Sequence, residues 1–103
     1  MTDDMPANRN DDPTLLDQAA YVLGSRYRKA IVNELESSPT TPSQIADRNE
    51  LSLSHVSRAL SELREKDLVR SHSSDSRTKL YVLTTRGNRV ADLVADLDEG
   101  GRR

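Results

Sequence analysis

Two helix-start signals stand eleven residues apart in the stretch TTPSQIADRNELSLSHVSRALSELREKDLV, which runs from Thr40 to Val69. At the first, Thr41 is placed to cap a helix and Pro42 takes the first helical position, where its missing N–H has no partner to lose. Gln44 then stands at the third position to complete a capping box. At the second, Ser52 is another good cap, and Asn49, Glu50 and Leu51 leave room only for a tight turn. The spacing therefore predicts a short helix over 42–49 and a longer one over 52–66, joined almost directly.

Placed on a wheel at about 100° per residue, Leu53, Val56, Ala59, Leu60 and Leu63 fall within an arc of roughly 120°, the stripe of a core-facing helix. The opposite face carries Ser54, Arg58 and Ser61, with His55 and Ser57 on its flanks. No acid occurs from Ser52 to Ser61, and Glu62 and Glu65 return only in the later turns. The chain as a whole carries a formal charge of −2 at pH 7, but residues 1–24 sum to −4, residues 25–89 to +4 and residues 90–103 to −2. The positive charge collects around the two capped helices. A helix that enters the DNA major groove presents its N-terminal half to base edges. That half should lack carboxylates, carry small polar side chains for close approach and include an Arg for guanine. Residues 52–61 meet all three conditions, and the helix dipole together with the Ser52 and Ser54 hydroxyls also suits a phosphate. A plain solvated amphipathic helix would share the core stripe but would not call for an acid-free outer face.

The remaining segments supply a frame. Residues 1–12 are polar and acidic and read as a disordered arm. Pro13 and Thr14 open LLDQAAYVLG, a helix over 14–23 with Leu15, Leu16, Ala19, Ala20 and Leu23 at helical spacing until Gly24 stops it. Ser25 can cap SRYRKAIVNELES, where Tyr27, Ile31 and Leu35 form a stripe with Ala30 beside it. In the first turn of that helix Arg26, Arg28 and Lys29 oppose the dipole by ~0.3 to 1 kcal/mol each. Local stability does not account for them, which leaves phosphate contact, pairing with Glu34 and Glu36, or ordinary surface charge. After the second capped helix, Leu68-Val69 and Leu80 to Leu83 read as two short strands joined by the polar tip SHSSDSRT, a hairpin over 68–84. Thr84 can cap a last helix over 84–98, with Val90, Leu93, Val94 and Leu97 as its stripe, before Gly100-Gly101 and a tail at 100–103. The expected fold is a single domain over 13–99, mainly α with a small β-hairpin, in the order α-α-α-α-β-β-α.

TPSQIADRNELSLSHVSRALSELREKDLV followed by DSRTKLYVLTTRG resembles the winged helix-turn-helix of MarR-like and ArsR-like transcription regulators, over about residues 25–90. The resemblance implies that 52–66 is the recognition helix, with Ser52, Ser54, His55, Ser57, Arg58 and Ser61 toward DNA and Arg58 the foremost base reader. His55 stays open between base contact, phosphate donor and surface residue. Arg70, Arg77 and Lys79 would belong to the wing, Arg77 at its tip, while Arg26, Arg28, Lys29, Thr41 and Ser43 are candidate phosphate contacts. The flanking helices of such regulators often build a dimer, which here would use Leu15, Leu16, Ala19, Leu23, Val90, Leu93, Val94 and Leu97. Three departures stand out, one of them a short wing, which speaks against deep insertion into the minor groove. Asp67 occupies a place where the family often has a left-handed Gly, so a positive φ is expected there. Asn49-Glu50 replaces a common Leu-Gly in the turn, which shortens the first motif helix and puts an acid near the groove.

Other classes lose ground. The 103 residues contain no Cys and two His, His55 and His72, which together cannot close a zinc site, so no metal and no cofactor are expected. No Gly-rich phosphate loop and no nucleophile with a candidate base speak for an enzyme. No apolar run approaches the ~20 residues that span a bilayer, and the acidic start is unlike a secretory signal, so the expected location is the cytoplasm. Three of 15 basic residues are Lys and 11 of 17 acids are Asp, a usage that resembles cytoplasmic proteins of halophilic archaea. The expected partners are double-stranded DNA and a second copy of the chain; no small-molecule ligand or membrane partner is indicated. The leading reading is a sequence-specific regulator of transcription, repressing by occlusion because so short a chain has no obvious second domain. The alternative is a winged helix that binds protein within a transcription assembly. That role asks for an acidic or apolar recognition face, which Ser54, Arg58 and Arg77 oppose.

Overall fold

The computed structural model describes residues 13–73 and 79–100, so the acidic arm at 1–12, the hairpin tip with Arg77, and residues 101–103 lie outside the described residues. Capping side chains divide the chain. Helix α1 spans Pro13–Leu23. Ser25 then accepts from the backbone N–H groups of Tyr27 and Arg28 and opens α2, Arg26–Ser37. Thr41 and Gln44 form a full capping box on α3, Pro42–Asn49. Ser52 accepts from His55 N–H and opens α4, Leu53–Glu65. After the strands, Thr84 Oγ1 accepts from Gly87 N–H at 2.9 Å and starts α5, Thr85–Gly100. Each cap satisfies helix N–H groups that would otherwise lack partners, and is worth about 1 kcal/mol.

Two helix ends use left-handed residues. Asp67 has φ 63°, as the missing glycine suggested. Glu50 shares this conformation at φ 55° and ψ 46°, with its N–H on the carbonyls of Ala46 and Asp47. Leu51 N–H adds a 2.9 Å bond to the Ala46 carbonyl, so the turn between α3 and α4 is closed by backbone bonds.

Strands β1, Val69–Ser73, and β2, Lys79–Leu83, pair antiparallel from Val69 opposite Leu83 to Ser73 opposite Lys79. A third segment joins them through one residue: Thr40 and Tyr81 exchange backbone bonds of 3.3 and 2.9 Å. Thr40 is fully buried, and its hydroxyl donates to Gln44 Oε1 at 2.7 Å. The wing base, the start of α3 and the capping box are thereby one hydrogen-bonded unit.

The five helices and the hairpin follow the expected order α-α-α-α-β-β-α. Ile31 and Val32 from α2, Ile45 from α3, and Val56, Leu60 and Leu63 from α4 meet Leu68, Val22 and Val90 in one core. Two stripes differ from the sequence expectation. On α1 the buried face is Leu15, Ala19 and Val22, while Leu16 and Ala20 are exposed. Leu15, Ala19 and Val22 are spaced by four and three, which keeps a single row on one side of the helix. On α4, Leu53 is 49% exposed and outside the core, since it stands at the edge of the stripe in the first turn of the helix. Gly87 is where α5 crosses the link from α4 to β1: a Cβ there would overlap the Leu68 carbonyl oxygen and lie 3.2 Å from Leu83 Cδ2.

Candidate nucleic-acid interface

Because Val56, Ala59, Leu60 and Leu63 are held by the core, α4 turns the remaining arc outward, and Ser54, His55, Ser57, Arg58 and Ser61 are all exposed. The side chain of Arg58 is 81% exposed. Ser52 is partly committed to the fold: its Oγ takes the His55 N–H at 3.3 Å and shares a 2.9 Å hydrogen bond with Ser54 Oγ. The His55 ring is stacked on Tyr27 of α2, with centroids 4.8 Å apart and planes 28° apart. On Tyr27 also rests the Arg26 guanidinium, 5.3 Å from the ring centroid. The stack gives His55 a fixed edge at the start of α4, with an arginine beside it.

The three cations of the first turn of α2 have separate fates. Arg26 is exposed. Arg28 turns inward: its Nε donates to the Tyr21 carbonyl at 2.8 Å, its guanidinium lies 3.8 Å from the Tyr21 ring centroid, and its Nη1 reaches Glu62 Oε1 at 3.5 Å. Lys29 pairs with Asp98 of α5 at 3.0 Å. Neither of these two pairs with Glu34 or Glu36, the sequence-local partners; Glu34 instead takes Arg48 of α3 at 3.3 Å. Helix packing explains the exchange, since α2 lies against α3, α4 and α5 and brings their charges closer than its own next turn does. Of the candidate phosphate contacts, Thr41 is used as a cap, Arg28 and Lys29 are engaged, and Arg26 and Ser43 stand at exposed positions.

In the wing, Arg70 and Lys79 are both exposed. Arg70 pairs with Val82 and Lys79 with Ser73, and since side chains alternate along a strand, the two cations project from opposite faces of the hairpin. Arg70 shares a polar hollow with Asp67, Thr84, Thr85, Arg86 and Asn88 at the start of α5, away from Lys79.

The stripes assigned to a dimer divide in the same way. Leu15, Ala19, Val90 and Val94 are buried in the protomer's own core, because α1 and α5 pack on each other. Leu16 and Leu97 remain 53% and 44% exposed, with Leu23 and Leu93 half-buried.

A family model described as the HVO_A0261 N-terminal domain matches residues 16–102. The chain belongs to that family. No curated protein matches it. Among solved structures, a doubly substituted ZitR from Lactococcus lactis is 29% identical, with a TM-score of 0.68 over 74% of this chain and 53% of that one. A singly substituted ZitR solved in complex with DNA is 28% identical, with a TM-score of 0.65 over the same shares. This chain thus spans about half the length of the ZitR chains it matches. An Enterococcus faecalis protein assigned to the MarR family of transcriptional regulators has a TM-score of 0.75 over 95% of this chain and 92% of that one, at 18% identity, and shares the fold. The fold of this HVO_A0261-type domain is therefore the winged helix of MarR-family regulators.

Three residues of the family member's α2–α4 face and wing base escape a reading by sequence. Tyr27 belongs to a core stripe by spacing yet serves as the platform for His55. Glu62 looks like the return of ordinary surface acids yet sits between two arginines, Arg28 and Arg58. Thr40 precedes a cap and carries no strand pattern, since its bridge to Tyr81 is a single residue long. A motif of i,i+4 Arg-Glu at 58 and 62 was the one local signal available for Glu62. Among the described residues there is no group of three His, Cys, Asp or Glu placed to hold a metal, and no helix is long and apolar enough to cross a membrane.

Proposed function

We propose that the chain binds double-stranded DNA sequence-specifically and regulates transcription, with α4 in the major groove and the hairpin at the minor groove or backbone. The observation that carries this reading is the exposed, acid-free N-terminal face of α4, with Arg58 standing free of the core at its centre. Ser54, Ser57 and Ser61 allow close approach to base edges, and Arg58 is suited to the O6 and N7 of guanine. Ser52, His55, Arg26, Ser43, Arg70, Arg77 and Lys79 are the groups proposed to meet phosphates or groove walls. The DNA complex of ZitR supports the same partner for this chain.

The proposed assembly is a homodimer in which Leu16 and Leu97, with the half-buried Leu23 and Leu93, meet a second copy. Two-fold pairing would set the recognition helices about 34 Å apart, one DNA turn, and make a palindromic site readable. Repression by occlusion of a promoter is the proposed mode. The Asp-rich, Lys-poor composition supports work in concentrated salt, where counterion release contributes little and groove hydrogen bonds carry more of the affinity.

The test compares two substitutions on one bound duplex. Arg58→Ala is expected to weaken binding by ~1 to 3 kcal/mol and to relax preference at one base pair, whereas Lys79→Ala weakens all sequences evenly and flattens the salt dependence. Equal, sequence-independent losses for both would remove the base-reading role of Arg58.

A further inference from the structure

Arg58 does not stand alone. Its Nε lies 3.9 Å from Oε2 of Glu62, one helical turn later. The other oxygen of that carboxylate, Oε1, is 3.5 Å from Nη1 of Arg28. Arg28 in turn has a side chain only 17% exposed and is pinned by the Tyr21 carbonyl at 2.8 Å and the Tyr21 ring at 3.8 Å. Glu62 therefore has a mostly buried, well-anchored cation behind one oxygen, and its other oxygen lies toward Arg58 at the centre of the outward face.

The geometry points to Glu62 as a positioning residue for Arg58, one that sets base discrimination without itself touching DNA; this rests on the DNA-binding reading above. The guanidinium is planar, with an edge that contains Nε and an end made of Nη1 and Nη2. An attraction on the Nε side steers the plane and leaves the terminal pair of N–H donors outward, the arrangement a bidentate contact to guanine requires. The rotamer freedom that Arg58 would otherwise lose on binding is partly removed beforehand. Arg28 has a second effect. It offsets the negative charge of Glu62, so that a carboxylate beside the groove repels phosphate less. A surface acid with no such role would simply weaken DNA binding.

The experiment uses the full chain, with Glu62→Gln, Arg58→Ala and the double variant. Gln keeps the size and an oxygen for Arg28, and equal thermal midpoints serve as the folding control. NMR relaxation of the Arg58 Nε–H group, without DNA, is expected to show a lower order parameter in Glu62→Gln than in the unsubstituted chain. On a duplex enriched from a random pool by the unsubstituted chain, Glu62→Gln is expected to bind scrambled DNA as well or better. Its ratio of specific to scrambled affinity should fall roughly two- to fivefold, the size an exposed ion pair allows. In the Arg58→Ala background the same substitution should leave that ratio unchanged. Unchanged order at Nε–H overturns the role of Glu62, as does an equal fall in the ratio whether or not Arg58 is present. An unsubstituted chain that enriches no duplex overturns the DNA reading itself. Enrichment with full discrimination retained by Glu62→Gln overturns only the positioning.

Discussion

Gly87→Ala reverses the usual sign of a helix substitution. In an exposed helix interior, replacing Gly by Ala stabilises by about 1 kcal/mol, because it restricts the unfolded chain and improves helix propensity. Gly87 lies in the first turn of α5, and its Cα faces the backbone between α4 and β1. The added methyl would overlap the Leu68 carbonyl oxygen and stand 3.0 Å from Leu68 C and 3.2 Å from Leu83 Cδ2. The obstacle is backbone, which has no rotamer to change. Leu68 is itself fully buried, and its carbonyl accepts the Thr84 N–H at 3.0 Å. Relief therefore requires α5 to move off the wing base and loosen the Thr84 cap. Overpacking of a fixed core costs about 1 to 3 kcal/mol, and loss of a cap about 1 more, against the propensity gain of about 1. The net is a destabilisation of roughly 1 to 3 kcal/mol. For a domain of this size each kcal/mol shifts the thermal midpoint by about 4 to 8 °C, so the variant should melt roughly 5 to 20 °C lower. Thermal unfolding followed by circular dichroism measures this directly. A midpoint equal to or above that of the unsubstituted chain would refute the close approach of α5 to Leu68.

Three further expectations follow from burial and backbone. Leu63→Ala, at a fully buried site, should cost about 2 to 5 kcal/mol, while Leu53→Ala, half exposed on the same helix, should cost well under half as much in the same urea titration; similar losses would return Leu53 to the core. Glu50→Gly and Asp67→Gly should each stabilise by up to about 1 kcal/mol, Glu50→Gly the more, since Asp visits the left-handed region more readily than Glu; a loss of stability at either would mean that the side chain contributes more than the strained backbone costs. If the proposed homodimer uses the exposed leucines of α1 and α5, the unsubstituted chain should sediment as a dimer and Leu16→Glu with Leu97→Glu as a monomer of unchanged helix content; a monomeric unsubstituted chain would contradict the proposed dimer, and an unchanged dimer mass would place the pairing surface elsewhere.

The parts of the fold that were legible in the sequence are those written in local chemistry. Thr41 with Gln44, Ser52, Ser25 and Thr84 announce helix starts because a cap is made by residues within three positions of one another. Asp67 was legible as a left-handed residue only through the resemblance, which often has Gly at that place; Glu50 was not, since its conformation follows from how soon α4 must begin after α3. Periodicity gave the direction of each apolar stripe but not what lies opposite it, which is why Val22 is buried where Leu16 was expected and Leu53 is exposed. The ion pairs were the least legible feature. Arg28 with Glu62 and Lys29 with Asp98 are separated by 34 and 69 residues, and only the packing of α2 against α4 and α5 brings them together. The outward face of α4 was readable because its signal is compositional, whereas the opposed directions of Arg70 and Lys79 depend on the hairpin register.

The central claim is that the outward face of α4 reads a DNA sequence. Selection from a pool of random duplexes, with the full chain and in concentrated salt, tests it most directly. The expected result is enrichment of an inverted repeat whose half-sites lie about one helical turn apart, with one guanine position that loses its preference when Arg58→Ala is selected in parallel. A pool that stays random, under salt conditions where the chain is folded, would contradict the claim.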